Sequence, residues 1–322
     1  MGRPGAADLR RDARLIGRPT QRLAAILPRM AEIRGVITAM VTPFDGADAV
    51  DFEAARRLAS HLAENGSHGL LVAGTTGESP TLSDAEKLDL LDAVRQEVGD
   101  RVTVICGTGS NDTRHSVELT KAACDRGADG VIVVTPYYNK PNRAGLRAHF
   151  EAVADAAGGT PVVLYNIPSR VVINLPPDFL AELAEIPNVV AVKQANDDDL
   201  GPIPGLDLLA GNDASFLRCL EQGGVGGILV SAHLVGAEMR QIYESVLAGD
   251  HAHAAELDAK LRPVYEATMV TANPIPVKAA LEMLGLIEGH MRLPLVPASR
   301  EERATIRAAL ERQGLLVAGG AA

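Results

Sequence analysis

Eight short apolar runs between residues 36 and 232 constrain the fold of this chain more than any other feature. Each run is hydrophobic almost throughout, whereas strands with one solvated face alternate apolar and polar residues, so the pattern predicts parallel strands buried on both faces. The predicted strands are VITAMVT (36–42), GLLVAG (69–74), VTVICG (102–107), GVIVVT (130–135), VVLYN (162–166), VVAVK (189–193), DLLAG (207–211) and GGILVSA (226–232).

Helix signals separate most of these strands. Ser83 and Glu86 form a capping box before an apolar-periodic segment, and Gly66, Gly99 and Gly127 stand where helices should end. Eight βα units within about 200 residues favour an α/β fold of the closed (β/α)8 TIM-barrel type. Strand count alone leaves a doubly wound open sheet as the alternative.

Beyond the last predicted strand, the sequence predicts only helices. We therefore divide the chain into a (β/α)8 barrel over 30–234 and a C-terminal helical region over 235–322. The last helix has its own capping box, Ser299 with Glu302. The predicted C-terminal helices cover 235–248, 251–271, 274–285 and 299–313.

Residues 1–29 differ from the rest, with seven arginines and two acidic residues. Organellar targeting peptides have such a composition. However, the stretch that starts at Met30 reads like a natural N-terminus, so we favour a disordered extension or a misplaced start codon at Met1 over a targeting role.

Composition excludes several classes of function. A net charge of −10 argues against a nucleic-acid partner, and no apolar run is long enough to span a membrane. The three cysteines are too widely spaced for a disulfide framework or a zinc site, which favours a cytoplasmic protein. Neither G-x-x-x-x-G-K nor G-x-G-x-x-G occurs, and the Asp197–Asp199 run has no His or Glu companion, so we predict no cofactor and no metal.

Lys193 is the most informative residue at the predicted strand ends, where catalytic groups of barrels gather. It is the one lysine of six that closes an apolar strand. Burial there disfavours the ammonium form, and a free amine can attack a ketone to give an imine. The alternative is a lysine whose ammonium extends to solvent or pairs with an acid. Tyr165 and a threonine pair at other strand ends favour the catalytic interpretation.

The remaining strand-end residues suit proton transfer and carboxylate binding. Tyr165 and Tyr138 can exchange protons, with Thr75 linking the phenols, although one tyrosine of the Tyr137–Tyr138 pair is expected at a subunit contact. The loop that holds Thr76 offers backbone N–H groups and hydroxyls to a carboxylate. Arg170 can bind a second carboxylate, unless it is only a surface arginine.

The chain resembles the dihydrodipicolinate synthase and N-acetylneuraminate lyase family of pyruvate-dependent class I aldolases, from about residue 35 to 316. Several motifs in the family's order carry the resemblance: GTTGES (74–79), GTGSN (107–111), VTPYYNKP (134–141), YNIPSR (165–170), VVAVK (189–193) and NPIPVKAALEMLGL (273–286).

The resemblance implies a role for each matching residue. Lys193 matches the Schiff-base lysine and Tyr165 the proton shuttle, which Thr75 links to a tyrosine of the neighbouring subunit, here Tyr138. Thr76 matches the residue that binds the pyruvate carboxylate. The other matches are Arg170 for the aldehyde carboxylate, Gly211 and Ile228 for backbone positions around pyruvate, and Ser79, Asn111 and Tyr137 for a possible effector site.

The implied reaction joins pyruvate to L-aspartate-4-semialdehyde, in lysine and diaminopimelate biosynthesis, on a homotetramer built as a dimer of dimers. One alternative is a sugar-acid aldolase of the family, acting on 2-keto-3-deoxygluconate or N-acetylneuraminate, although such members usually lack an arginine at position 170. Another is a non-catalytic paralogue that binds a small acid, which the complete set of catalytic residues opposes.

Five positions depart from the family pattern. Gln194 replaces an acid, Val171 a threonine and Leu229 a serine. These changes weaken the part of the resemblance on which the identity of the aldehyde substrate rests. Lys87 stands in place of a histidine of regulated members, and His115 in place of the glutamate that binds the effector's amine. We therefore predict weak or absent inhibition by lysine. The segment after Lys193 is short, so we expect a reduced sixth helix.

Overall fold

A computed structural model describes residues 33–317, and the predictions for residues 1–29 lie outside the described part. Eight parallel strands close into a barrel in chain order, each paired with its neighbours and β8 with β1. The predicted TIM barrel is confirmed and the open sheet is wrong. The strands are β1 Gly35–Ala39, β2 Gly69–Val72, β3 Thr103–Gly107, β4 Gly130–Val134, β5 Val162–Asn166, β6 Val189–Gln194, β7 Asp207–Ala210 and β8 Gly226–Leu229.

Several strands end earlier than their apolar runs. The run at 69–74 was predicted to be extended throughout, but β2 ends at Val72 because the backbone turns at Ala73, where φ is 52°. The apolar residues beyond the strand ends belong to the βα loops. They are hydrophobic because these loops cover the C-terminal end of the barrel, not because they are extended.

Helices follow most strands as predicted. Both capping boxes are present, at Ser83 and Ser299. Between β6 and β7 there is only a 3-10 turn, Asp197–Asp199, in place of a sixth barrel helix. The α-helices are α1 Phe52–Glu64, α2 Asp84–Val98, α3 Thr113–Asp125, α4 Arg143–Ala156, α5 Pro168–Val171, α6 Pro177–Leu183, α7 Phe216–Glu221, α8 Ala232–Leu247, α9 His251–Ala267, α10 Ile275–Met283 and α11 Arg300–Arg312.

Two apolar layers enclose the strands, as the two-sided hydrophobic pattern requires. Side chains such as Ile37, Ile105 and Val163 fill the barrel, while alternate residues such as Val36 and Val104 pack against the helices. Because successive strand residues alternate between the two layers, the position of a residue in its strand decides whether it points toward the barrel axis.

The C-terminal helices continue from the barrel without a break. α8 packs on β1 and α1, so the predicted boundary at 234/235 falls inside this helix. α9 packs on α8, and α10 with α11 forms a separate apolar cluster around Ile306 and Leu310. No helix within residues 33–317 is long and apolar enough to cross a membrane.

Candidate active site

A cavity of about 620 Å³ opens where the strands end in the βα loops. This is the end of a barrel at which catalytic groups are expected. Five predicted site residues from three parts of the chain line it together: Thr75, Thr76, Tyr165, Arg170 and Lys193.

Lys193 and Tyr165 face the cavity from adjacent strands. They are direct register partners of β6 and β5, and each is nearly buried, with 5% and 7% of its surface exposed. The Lys193 Nζ atom lies 4.4 Å from the centre of the Tyr165 ring. The amine is therefore held beside a phenol with little of either side chain exposed, an arrangement suited to imine formation with local proton transfer.

Thr75 and Thr76 lie in the tight loop after β2. The loop turns back over the end of the strand, and a side chain at Gly77 would approach the backbone N of Ala73 and the backbone O of Met40 to 3.2 Å. The Thr42 hydroxyl donates to the Gly77 carbonyl at 2.7 Å, which holds the loop down. Thr76 is 2% exposed. A buried hydroxyl in such a loop can anchor a small anion.

Arg170 lies at the mouth of the cavity, on the short helix α5. Its guanidinium is exposed and donates to the Asn273 carbonyl at 3.2 Å. One edge of the guanidinium is thus fixed by the C-terminal region, which leaves its other donors available to a carboxylate at the entrance.

Three predicted site residues do not line this cavity. Tyr138 is 89% exposed and points away from it, on a backbone with φ of 70°. Ile228 is fully buried inside the barrel, and Gly211 donates its N–H to the Gln194 carbonyl at 2.8 Å behind the site. A single chain therefore does not bring Tyr138 into the cavity with Thr75 and Tyr165.

The possible effector residues line the outer part of the same cavity. They are Ser79, Asn111 and Tyr137. Charged side chains on α2 and α3 line the same part of the cavity. Among these charged side chains, His115 Nε2 lies 2.8 Å from Asp84 Oδ2, and Lys87 Nζ lies 3.3 Å from Asp84 Oδ1. Partial burial acts to raise the pKa of the Asp84 carboxyl, but His115 and Lys87 outweigh it and hold this pKa below its usual value.

One buried carboxylate at the same end of the barrel is not among the predicted site residues. Asp213, just after β7, accepts hydrogen bonds from the Val230 N–H at 2.9 Å and from the Ser231 N–H and hydroxyl at 3.0 and 2.9 Å. Burial raises the pKa of Asp213, while Ser231 and the charge of Lys193 act in the opposite direction. An acid that follows a strand end was the available signal.

A buried ion pair, also absent from the predicted site residues, joins the Thr75–Thr76 loop to the C-terminal region. The side chains of Glu78 and Lys278 are 1% and 0% exposed, and their Oε1 and Nζ atoms are 2.6 Å apart. Lys278 also donates to the His290 carbonyl at 2.8 Å and lies over the Phe44 ring. Burial lowers the pKa of Lys278 against the charge of Glu78. The motif at 273–286 contains this lysine, but spacing alone gave it no partner.

Comparison with known proteins decides the family. The model of the dihydrodipicolinate synthetase family matches residues 32–313. The chain belongs to this family. The resemblance drawn from the motifs is therefore confirmed.

Relatives of this dihydrodipicolinate synthetase family member align over nearly their whole length. The 4-hydroxy-tetrahydrodipicolinate synthase of Moorella thermoacetica is 48% identical over 288 residues, which cover 87% of this chain and 98% of that protein. The lysine-bound structure from Cyanidioschyzon merolae is 41% identical with a TM-score of 0.85, covering 88% of this chain and 99% of the other. The pyruvate complex of the chloride-inhibited Acinetobacter baumannii enzyme is 36% identical with a TM-score of 0.85, covering 88% and 100%.

Proposed function

We propose that this protein is a 4-hydroxy-tetrahydrodipicolinate synthase, a lyase that joins pyruvate to L-aspartate-4-semialdehyde through a Schiff base on Lys193. The observation that carries the proposal is the register pairing of Lys193 with Tyr165, both nearly buried at the cavity. Family membership and relatives of this name support it.

The first half of the reaction activates pyruvate. The neutral Lys193 amine attacks the keto carbon of pyruvate, and loss of water leaves an imine. Tyr165 gives a proton to the departing oxygen and takes up protons in later steps. Thr76 donates its hydroxyl to the pyruvate carboxylate. The imine then withdraws electrons, so a methyl proton leaves and an enamine forms.

The second half forms the carbon–carbon bond. The enamine carbon attacks the carbonyl carbon of the aldehyde. The aldehyde oxygen takes up a proton and becomes a hydroxyl. Arg170 at the cavity mouth holds the carboxylate of this substrate, which favours an acidic aldehyde over a neutral sugar chain. Hydrolysis then breaks the carbon–nitrogen bond to Lys193, because water adds to the imine carbon and the lysine leaves as the free amine. The amino group brought by the semialdehyde closes the ring on the released ketone, with loss of water.

Tyr138 acts in the cavity of a neighbouring subunit in this proposal, within a homotetramer. Its phenol is 89% exposed, and the Asn139 N–H donates to the Tyr137 carbonyl at 2.9 Å, which closes a tight turn and makes Tyr138 protrude. A bulky residue with positive φ costs conformational energy, so such a turn is expected where a function offsets that cost. In this proposal that function is proton transfer, because Tyr138 completes the Tyr165–Thr75 relay of the adjacent subunit.

Ser79, Asn111 and Tyr137 form an effector site of weak affinity for lysine in this proposal. A lysine ammonium needs an uncompensated carboxylate, but Asp84 is already paired with His115 and Lys87. The positive charge of Lys87 further opposes a cationic ligand.

Borohydride trapping tests the proposed function. Incubation with pyruvate and borohydride should add one reduced pyruvyl group, and peptide mass mapping should place it on Lys193. Absence of this adduct overturns the proposal. A coupled assay that offers pyruvate with L-aspartate-4-semialdehyde, or with the aldehydes of the sugar-acid aldolases, identifies the second substrate.

A further inference from the structure

The C-terminal region contacts two of the proposed substrate anchors through one residue. Asn273, which lies just before α10, donates its side-chain N–H to the Thr76 hydroxyl oxygen at 2.9 Å. Its backbone carbonyl accepts the hydrogen bond from Arg170 at 3.2 Å. The two contacts are made by different groups of Asn273, so they can be tested separately.

The contact with Thr76 has a directional consequence. A hydroxyl has one hydrogen to donate, and its oxygen accepts. Because the Thr76 oxygen receives the Asn273 N–H, its hydrogen stays free to point elsewhere. Thr76 is 2% exposed and lines the cavity, so the free hydrogen is available to an anion beside Lys193.

We infer that Asn273 is a positioning residue, which orients the Thr76 hydroxyl toward the carboxylate of the keto acid. This inference rests on the proposed function. Asn273 touches no substrate itself and acts through Thr76 alone. The Glu78–Lys278 pair holds the two segments in register, because it joins the loop of Thr76 to the helix that begins two residues after Asn273.

The environment of the Asn273 amide predicts which substitutions are tolerated. Its Oδ1 atom is buried and has no partner among the described residues. An aspartate at this position can only accept, so it would draw the Thr76 hydrogen to itself. It would also place a negative charge close to the bound carboxylate. Asn273→Asp should therefore bind pyruvate more weakly than Asn273→Ala.

Steady-state kinetics of the full chain test the inference. Asn273→Ala should raise the KM for pyruvate by roughly three- to tenfold, the usual effect of one lost hydrogen bond, and Asn273→Asp should raise it further. The KM for the aldehyde should stay close to that of the wild type, because the carbonyl that holds Arg170 remains. In a Thr76→Val background, Asn273→Ala should add no further change in the pyruvate KM.

Glu282→Gln is the matched control. It removes an ion pair with Arg303 between α10 and α11 and so loosens the same region without contact with Thr76. Its KM values should equal those of the wild type, and thermal unfolding should confirm that all variants fold. A pyruvate KM unchanged in Asn273→Ala, an Asn273→Asp variant that binds pyruvate as well as the wild type, or an equal KM rise in Glu282→Gln would each overturn the inference.

The trapping experiment separates the two proposals. If the wild type forms no adduct with pyruvate, the proposed function and this inference both fall. If the adduct forms on Lys193 and the Asn273 variants keep the pyruvate KM of the wild type, only the positioning role is lost.

Discussion

The Lys193 amine lies 4.4 Å from the centre of the Tyr165 ring, and the two residues are paired in register on adjacent strands. Strand pairing fixes this relationship, so it does not depend on a mobile loop. The barrel itself sets the distance between the amine and the phenol ring, so the proposed reaction would start from groups that are already in place.

Removal of the Tyr165 hydroxyl should slow turnover while the barrel stays intact. Tyr165→Phe keeps the ring beside Lys193 but removes the proton donor, so kcat should fall by about 10²- to 10⁴-fold, as expected for loss of a general acid–base group. Tyr243→Phe is the matched control, since Tyr243 packs edge-on against His68, 5.3 Å between ring centroids, and does not line the cavity. Equal rates for the two variants would contradict the role of Tyr165.

Tyr138 should act across a subunit boundary. Lys193→Ala and Tyr138→Phe variants should each be nearly inactive alone. In mixed oligomers, a subunit with Lys193 receives Tyr138 from its neighbour, so intact sites form and activity should return. Co-expression with two purification tags and a turnover assay of the doubly tagged fraction provide the measurement. If Tyr138 served its own cavity, no mixture would regain activity.

Inhibition by lysine should be weak and should strengthen when a carboxylate replaces His115. His115→Glu removes the compensating partner of Asp84 and adds a negative charge beside it, so a lysine ammonium gains a counter-ion. Inhibition constants with and without the substitution are the measurement, and His253→Glu on the exposed start of α9 makes the same charge change elsewhere. Inhibition of the unaltered chain well below millimolar lysine would refute this account.

Acid should weaken the ion pair between Glu86 on α2 and Arg292 in the segment after α10. Glu86 accepts from Arg292 Nη2 at 2.6 Å and Nη1 at 3.0 Å, and mainly this interaction lowers the pKa of Glu86 from 4.5 to about 2. The unfolded chain therefore takes up this proton at higher pH than the folded protein. The stabilisation is complete above pH 4.5 and is lost as pH falls toward 2.

Thermal unfolding across this pH range is the corresponding measurement. Glu86→Gln should reduce the fall in stability between pH 4.5 and 2, because the group that titrates is gone. Glu256→Gln, at an exposed position of α9, should keep the pH dependence of the wild type. A wild-type slope retained by Glu86→Gln would show that other groups cause it.

The barrel and the position of its candidate site were predictable because both follow from strand periodicity. Apolar runs buried on both faces predicted eight strands, and a lysine that ends such a run could only lie at the cavity end of the barrel. The same logic placed Tyr165 beside it. Strand ends were less predictable, since Ala73 is apolar yet turns the chain with a φ of 52°.

The contacts of the C-terminal region could not be predicted from the local sequence pattern. Lys278 lies in a predicted helix, and nothing local indicates that its partner is 200 residues away at Glu78. Asn273 was not predicted for the same reason, because its proposed role depends on a contact with Thr76, which is 197 positions away in the sequence. Local pattern reports which face of an element is buried but not which distant polar group shares that face.

The Glu78–Lys278 pair has a consequence for the architecture of the chain. If α10 were deleted, the buried Glu78 carboxylate would lose the ammonium that contacts it, in the very loop that carries Thr75 and Thr76. The stability of this loop and that of the last helices are therefore coupled. Replacing either Glu78 or Lys278 alone would leave the other charge buried without its partner.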